Sequence, residues 1–154
     1  MEILKGLLMI NGVDPYIQYG AFLAYGKNDD PMANYSALLT PPELKEPRKV
    51  ELREINGVKL PAKLKQRWKE RVVPLKFGIL AADKEQFEER YFGFLNFLKD
   101  GGDDSGWLDF SIPELSRTWR FYLLRVTPYE QLTDLEGEVA AMFTAVFEEP
   151  EPNF

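Results

Sequence analysis

The stretch from Val72 to Gly102 changes hydrophobic period once, and that change limits what the chain can fold into. Its first part, RVVPLKFGILAAD, places Val73, Leu75, Phe77, Ile79 and Ala81 at alternate positions, the period of a strand with one buried face. Its second part, DKEQFEERYFGFLNFLKDGG, spaces Phe87, Tyr91, Phe94, Leu95 and Leu98 as the apolar stripe of a helix. Asp83 is placed to cap the first turn, and Gln86 three residues on completes a capping-box pattern. Lys99 falls in the last turn, where the helix dipole favours a cation, and Gly101 and Gly102 offer a left-handed stop. The expectation is a strand that leads into one main helix, about 83–100.

Around this unit the chain reads as strands. Residues 1–10 form a first strand that ends at the turn dipeptide Asn11-Gly12. An apolar patch with Tyr16, Tyr19, Phe22 and Tyr25 reads as extended, and Tyr35 to Thr40 as a short strand stopped by Pro41-Pro42. Val50, Leu52 and Ile55 lead into Asn56-Gly57, and Val58 and Leu60 lead out, a hairpin expected to project from the body or pack on a neighbour. Pro61 to Trp68 fits a helical turn or a loop. Trp107–Ile112, Thr118–Val126 and Gly137–Phe147 complete the strands, with a connector over Thr127–Leu135. The segment from about 148, EEPEPNF, is too polar and proline-rich to carry a strand. No repeat or linker divides the 154 residues, so the chain is expected to be a single domain of mainly β (α+β) class, with seven or eight strands and one main helix.

Two absences narrow the chemistry. The sequence has no cysteine and no histidine, which removes disulfides, thiolate catalysis, zinc–cysteine sites and the commonest acid/base group at neutral pH. Serine lacks a histidine partner, and no nucleophile-elbow or phosphate-loop pattern occurs. Asp29-Asp30 and Asp100, Asp103 and Asp104 do not follow a calcium-loop spacing and read as solvated loops. Glu85, Glu88, Glu89 and Glu138 supply carboxylates, but no spacing aims a pair of them at a cleft. No catalytic, cofactor-binding or metal-binding residue is assigned, no cofactor is expected, and a non-enzymatic role is the default.

The net charge of −6 argues against broad binding to nucleic acid. The one basic run, Lys63, Lys65, Arg67, Lys69 and Arg71, reads as a solvated face. No stretch approaches a membrane span, and the N-terminus lacks a signal-peptide layout, so the expected compartment is a cytoplasm.

In the order of its elements the chain resembles the N-terminal ring-forming domain of the distal tail protein family of long-tailed bacteriophages, a tail-tube-like family. The resemblance rests on MINGVD, on KFGILAADKEQFEERYFGFLNFLKDGG, on WLDFSIPELSRTWRFYLLRV and on GEVAAMFTAVFEEPEP, and spans about Met1 to Pro150. It implies a β-sandwich or split β-barrel flanked by the helix. It further implies a structural protein of a phage or prophage tail that forms homo-oligomeric, hexameric rings around the channel and joins other tail proteins during virion assembly in the bacterial cytoplasm. The sequence ends at Phe154, without the C-terminal domain of fuller members, and holds a long segment, Pro15 to Pro47, before the hairpin. On this reading the subunit contacts fall on Val50, Leu52, Ile55, Val58 and Leu60, with Tyr16, Tyr19 and Phe22 as further candidates. Two rivals stand beside it: a small β module that binds a partner protein or a carbohydrate through its aromatics, and, more remotely, a carboxylate-dependent glycoside hydrolase.

Overall fold

The computed structural model describes residues 5–154. Six strands form one antiparallel sheet in the order β1-β4-β5-β6-β3-β2, accompanied by three α-helices and a 3-10 turn at Pro113–Leu115. The strands are β1 (Met9–Ile10), β2 (Ala21–Leu23), β3 (Arg71–Ala81), β4 (Leu108–Ile112), β5 (Arg117–Gln131) and β6 (Val139–Glu149). The helices are α1 (Pro15–Tyr19), α2 (Ala33–Leu39) and α3 (Lys84–Asp100). The mainly β class is as expected; the sheet has six strands where seven or eight were expected.

The unit that organises the sequence also organises the fold. β3 pairs along its whole length with β6, from Arg71 opposite Glu149 to Ala81 opposite Val139. Its alternating residues Val73, Leu75, Phe77, Ile79 and Ala81 are all buried. In α3 the Asp83 carboxylate accepts from the Gln86 amide at 2.8 Å, and the Gln86 side chain reaches back to the Ala82 amide at 2.7 Å. The helix buries Phe87, Phe94, Phe97 and Leu98 and ends at Gly101, whose φ of 75° is left-handed. Leu95, expected in the buried stripe, is half-buried, and Phe97 takes the deeper position. Phe94 lies against Phe77 of β3 and Phe143 of β6, at 5.4 and 6.0 Å between ring centroids, so α3 covers one end of the sheet.

The other end covers itself. Phe110 of β4 meets Phe147 of β6 edge to face at 5.0 Å, although β5 lies between their strands. Adjacent strands stand about 4.8 Å apart, so in a flat sheet these two backbones would be separated by roughly 10 Å. The sheet is therefore strongly curled, and Phe110, Phe121 and Phe147 fill its concavity. Leu7 and Leu8, just before β1, and the residues of β2 line one seam on the surface.

Several local expectations are corrected. The first strand is only Met9–Ile10 within the described residues, and residues 1–4 of that expectation lie outside them. The following turn is as expected, with Asn11 and Gly12 at φ 52° and 77° and Ile10 and Val13 exchanging hydrogen bonds of 2.9 Å. The patch expected to be extended begins as a helix. Asp14 caps α1 through the Tyr16 amide, Pro15 sits at its start and Gly20 closes it in the left-handed region. Tyr35 to Thr40, expected as a strand, lies largely in α2. The connector after Val126 is mostly strand, since β5 runs to Gln131 by way of a bulge around Pro128 that spares the ladder the missing proline amide. The C-terminal segment contributes Glu148 and Glu149 to β6, and Phe154 returns to cover the Arg71 guanidinium at 4.6 Å.

Candidate interaction surface

Between α2 and β3 the chain makes an excursion over residues 41–70 that contains no strand of the sheet. Two isolated bridges hold it together, Leu44 with Trp68 at the base and Val50 with Lys59 further out. At the base the Lys45 amide donates to Arg67 at 2.7 Å and the Lys69 amide to Glu43 at 2.8 Å. Trp68 packs on Phe154 at 6.0 Å. Further out Val50 and Lys59 exchange bonds of 2.9 and 2.7 Å, with the Asn56-Gly57 turn beyond them. The expected hairpin is thus a loose arm pinned at two points. The spacing from Leu52 to Ile55 is three, not two, which breaks strand alternation within the incoming limb.

All five side chains expected to make subunit contacts lie on this arm, and all are exposed: Val50 50%, Leu52 40%, Ile55 46%, Val58 44% and Leu60 41%. Leu64 adds a sixth at 49%. Six exposed apolar side chains thus fall within fifteen residues of this segment. Of the basic run, Lys63, Lys65, Arg67 and Lys69 are solvated as expected. Arg71 is not: it is 6% exposed and bonded through Nε to Glu149 at 2.6 Å.

The three aromatic candidates sit elsewhere. Tyr19 is a packing residue, wedged against Phe94 and Phe97 of α3 at 5.6 and 5.5 Å. Burial, and then the nearby Asp100 carboxylate, raise its phenol above the usual range. Tyr16 and Phe22 meet edge to face at 6.2 Å and line the seam. Gly78 makes room for Phe22, since a Cβ there would stand 3.0 Å from the ring. The seam forms a groove of about 310 Å³ running from Leu7 past β2 to Glu114. On its wall the Tyr35 hydroxyl donates to Glu114 at 3.0 Å; burial and then that bond raise the tyrosine pKa. Nothing in the sequence spacing joins Tyr35, Phe22 and Glu114. Only the tertiary fold does so.

The acidic loops find hydrogen-bond donors close by. Asp100 accepts from the Gly102 amide and Asp103 from the Ser105 amide, at 2.8 and 3.0 Å. Asp29 accepts from Lys76 at 2.6 Å and from the Gly26 amide at 2.7 Å, contacts that hold its carboxyl below the usual range. Among the described residues no group of three or more acidic side chains is gathered as for a metal ion. Trp68 is engaged by Phe154, and Trp107 by Arg120 on one side and Tyr122 on another. No helix of the described residues is long and apolar enough to cross a membrane. No protein-family model, curated protein or solved structure matches the chain.

Proposed function

We propose that this protein is a non-enzymatic assembly component that builds homo-oligomers through its 41–70 arm, in the manner of a phage or prophage tail ring. The observation that carries the reading is the arm itself: six exposed apolar side chains on a segment whose two limbs are bridged to each other and whose Trp68 packs on Phe154. Burying such side chains against a neighbour is favourable by about 25 cal/mol per Å² of apolar surface removed from water. An arm that reaches from one copy to a different patch on the next is a heterologous contact, and such contacts close into rings when the rotation allows. A mainly β body with one covering helix suits this use, because it presents sheet edges as well as the arm. The tail-ring form of the proposal rests on the order of elements in the sequence, and other tail proteins would be the further partners. Negative-stain electron microscopy of the concentrated protein tests it: closed rings with a central channel are expected, and unclosed or irregular particles would overturn the ring.

A further inference from the structure

The arm differs in charge from the body that carries it. Residues 41–70 hold nine lysines and arginines against five acids, while the rest of the chain holds ten against twenty. The cations gather where the two limbs part. Between the bridges Leu44–Trp68 and Val50–Lys59 the incoming limb has five residues and the outgoing limb eight. The longer limb bows away and leaves a cleft of about 370 Å³. Lys45, Arg48, Lys63, Lys65 and Arg67 line it, together with Leu64. Its one acid, Glu46, is held by Lys49 at 2.8 Å. Among the described residues none of the five cations forms an ion pair, and the Arg67 guanidinium donates to the Gln66 carbonyl at 3.1 Å. A cleft lined by one sign of charge concentrates the field and favours an anionic occupant.

The turn between β5 and β6 has the complementary character. Residues 130–138, EQLTDLEGE, hold Glu130, Asp134, Glu136 and Glu138 and no cation. All nine are exposed, with Leu132 at 52% and Leu135 at 43%. Local bonds give the turn its shape: the Asp134 carboxylate accepts from the Glu136 amide at 3.0 Å, and the Thr133 hydroxyl from the Ala140 amide at 3.1 Å. Among the described residues none of its four carboxylates is in an ion pair. The arm enters β3 at Arg71, and the last residue of β3, Ala81, lies opposite Val139, where the acidic turn ends. The eleven residues of β3 thus separate the base of the arm from the turn, about 33 Å along the strand pair. One copy does not join its own two halves.

We infer that the acidic turn 130–138 of one copy seats in the basic cleft of the arm in the next. The inference rests on the self-assembly reading and names both halves of its contact. Opposite charges steer and orient the two surfaces, and Leu132 and Leu135 come against the exposed leucines of the arm, Leu60 and Leu64. The two halves stand at opposite ends of β3, so the contact runs head to tail, the arrangement from which rings close. A nucleic acid in the same cleft would meet a body with ten cations against twenty acids, which repels it.

Charge exchange tests it. One variant combines Lys45→Glu, Lys63→Glu and Lys65→Glu and sets an acidic cleft against an acidic turn. The other combines Glu130→Lys, Glu136→Lys and Glu138→Lys and sets a basic turn against a basic cleft. All six side chains are exposed, so both chains should fold as the natural one does, which circular dichroism checks. In sedimentation velocity each variant alone should associate about tenfold or more weakly than the natural chain. An equimolar mixture should recover association, because every cleft then finds a turn of opposite charge. If neither variant is weakened, or the mixture does not recover, the contact is overturned although the chain self-assembles. Binding of a labelled single-stranded oligonucleotide that the arm variant loses and the turn variant keeps would assign the cleft to nucleic acid instead. A natural chain that is monomeric at every concentration overturns both readings.

Discussion

Arg71 and Glu149, 78 residues apart in sequence, form an ion pair of 2.6 Å with side chains 5% and 0% exposed. The same guanidinium donates through Nη1 to the carbonyls of Ala37, Leu38 and Thr40 at 3.2, 2.9 and 2.8 Å. It therefore satisfies the C-terminal carbonyls of α2 while joining the start of β3 to the end of β6. Replacing Arg71 by Met would strand a buried carboxylate and release those carbonyls, at a cost of about 3–5 kcal/mol. Glu149→Leu should cost about as much, because it leaves buried and without a counter-charge a guanidinium that cannot shed its proton. The double variant should be more stable than Arg71→Met alone, and urea unfolding of the three would show this non-additivity.

Gly101 ends α3 at φ 75°, and a Cβ there would stand 2.5 Å from the Trp107 carbonyl oxygen. Gly101→Ala should lose at least about 1–2 kcal/mol from the left-handed backbone alone, with the clash added to it. Gly57 has a similar φ of 73° but nothing within 4 Å. Gly57→Ala should leave the melting temperature of the body unchanged, since its strain falls on the arm.

Stability should decline in alkali. Burial raises the phenol pKa of Tyr19, Tyr35, Tyr91 and Tyr129, and the hydrogen bond to Glu148 raises that of Tyr122, all from an ordinary value of 10.0. Above that value the unfolded chain gives up protons that the folded chain still holds, so unfolding becomes easier as pH rises. These contributions are complete below pH 10.0 and are lost as pH climbs through the raised folded values. Denaturant midpoints taken across this range should fall steadily, and Tyr35→Phe, which cannot ionise, should flatten the decline.

The fold was most legible where local signals and burial agree. β3 and α3 carry the right period, cap and stop, and both formed within a residue or two of the expected limits. α1 was legible too, from Asp14-Pro15 at its start and Gly20 at its end, but its aromatics favoured an extended reading. α2 was not: seven residues are too few to show a period, it lacks a side-chain N-cap, and its C-terminal carbonyls are met by Arg71 from across the chain. The arm residues were named from the hairpin pattern, and the structure leaves all of them exposed. The seam groove was hidden because its walls come from α1, β2, α2 and the turn after β4, brought together only by the fold.

Placing charges on the arm separates folding from association. Leu52→Asp, Ile55→Asp and Val58→Asp alter side chains at least 40% exposed, so each should change stability by no more than about 0.5 kcal/mol. Combined in one chain they should abolish self-association while circular dichroism and melting stay close to those of the natural protein.

The mass of the natural chain in concentrated solution, measured by light scattering, tests the central claim most directly. A stable multiple of 17.8 kDa is the result expected of a ring-forming protein. A mass that stays at 17.8 kDa up to the highest concentration reached would contradict it.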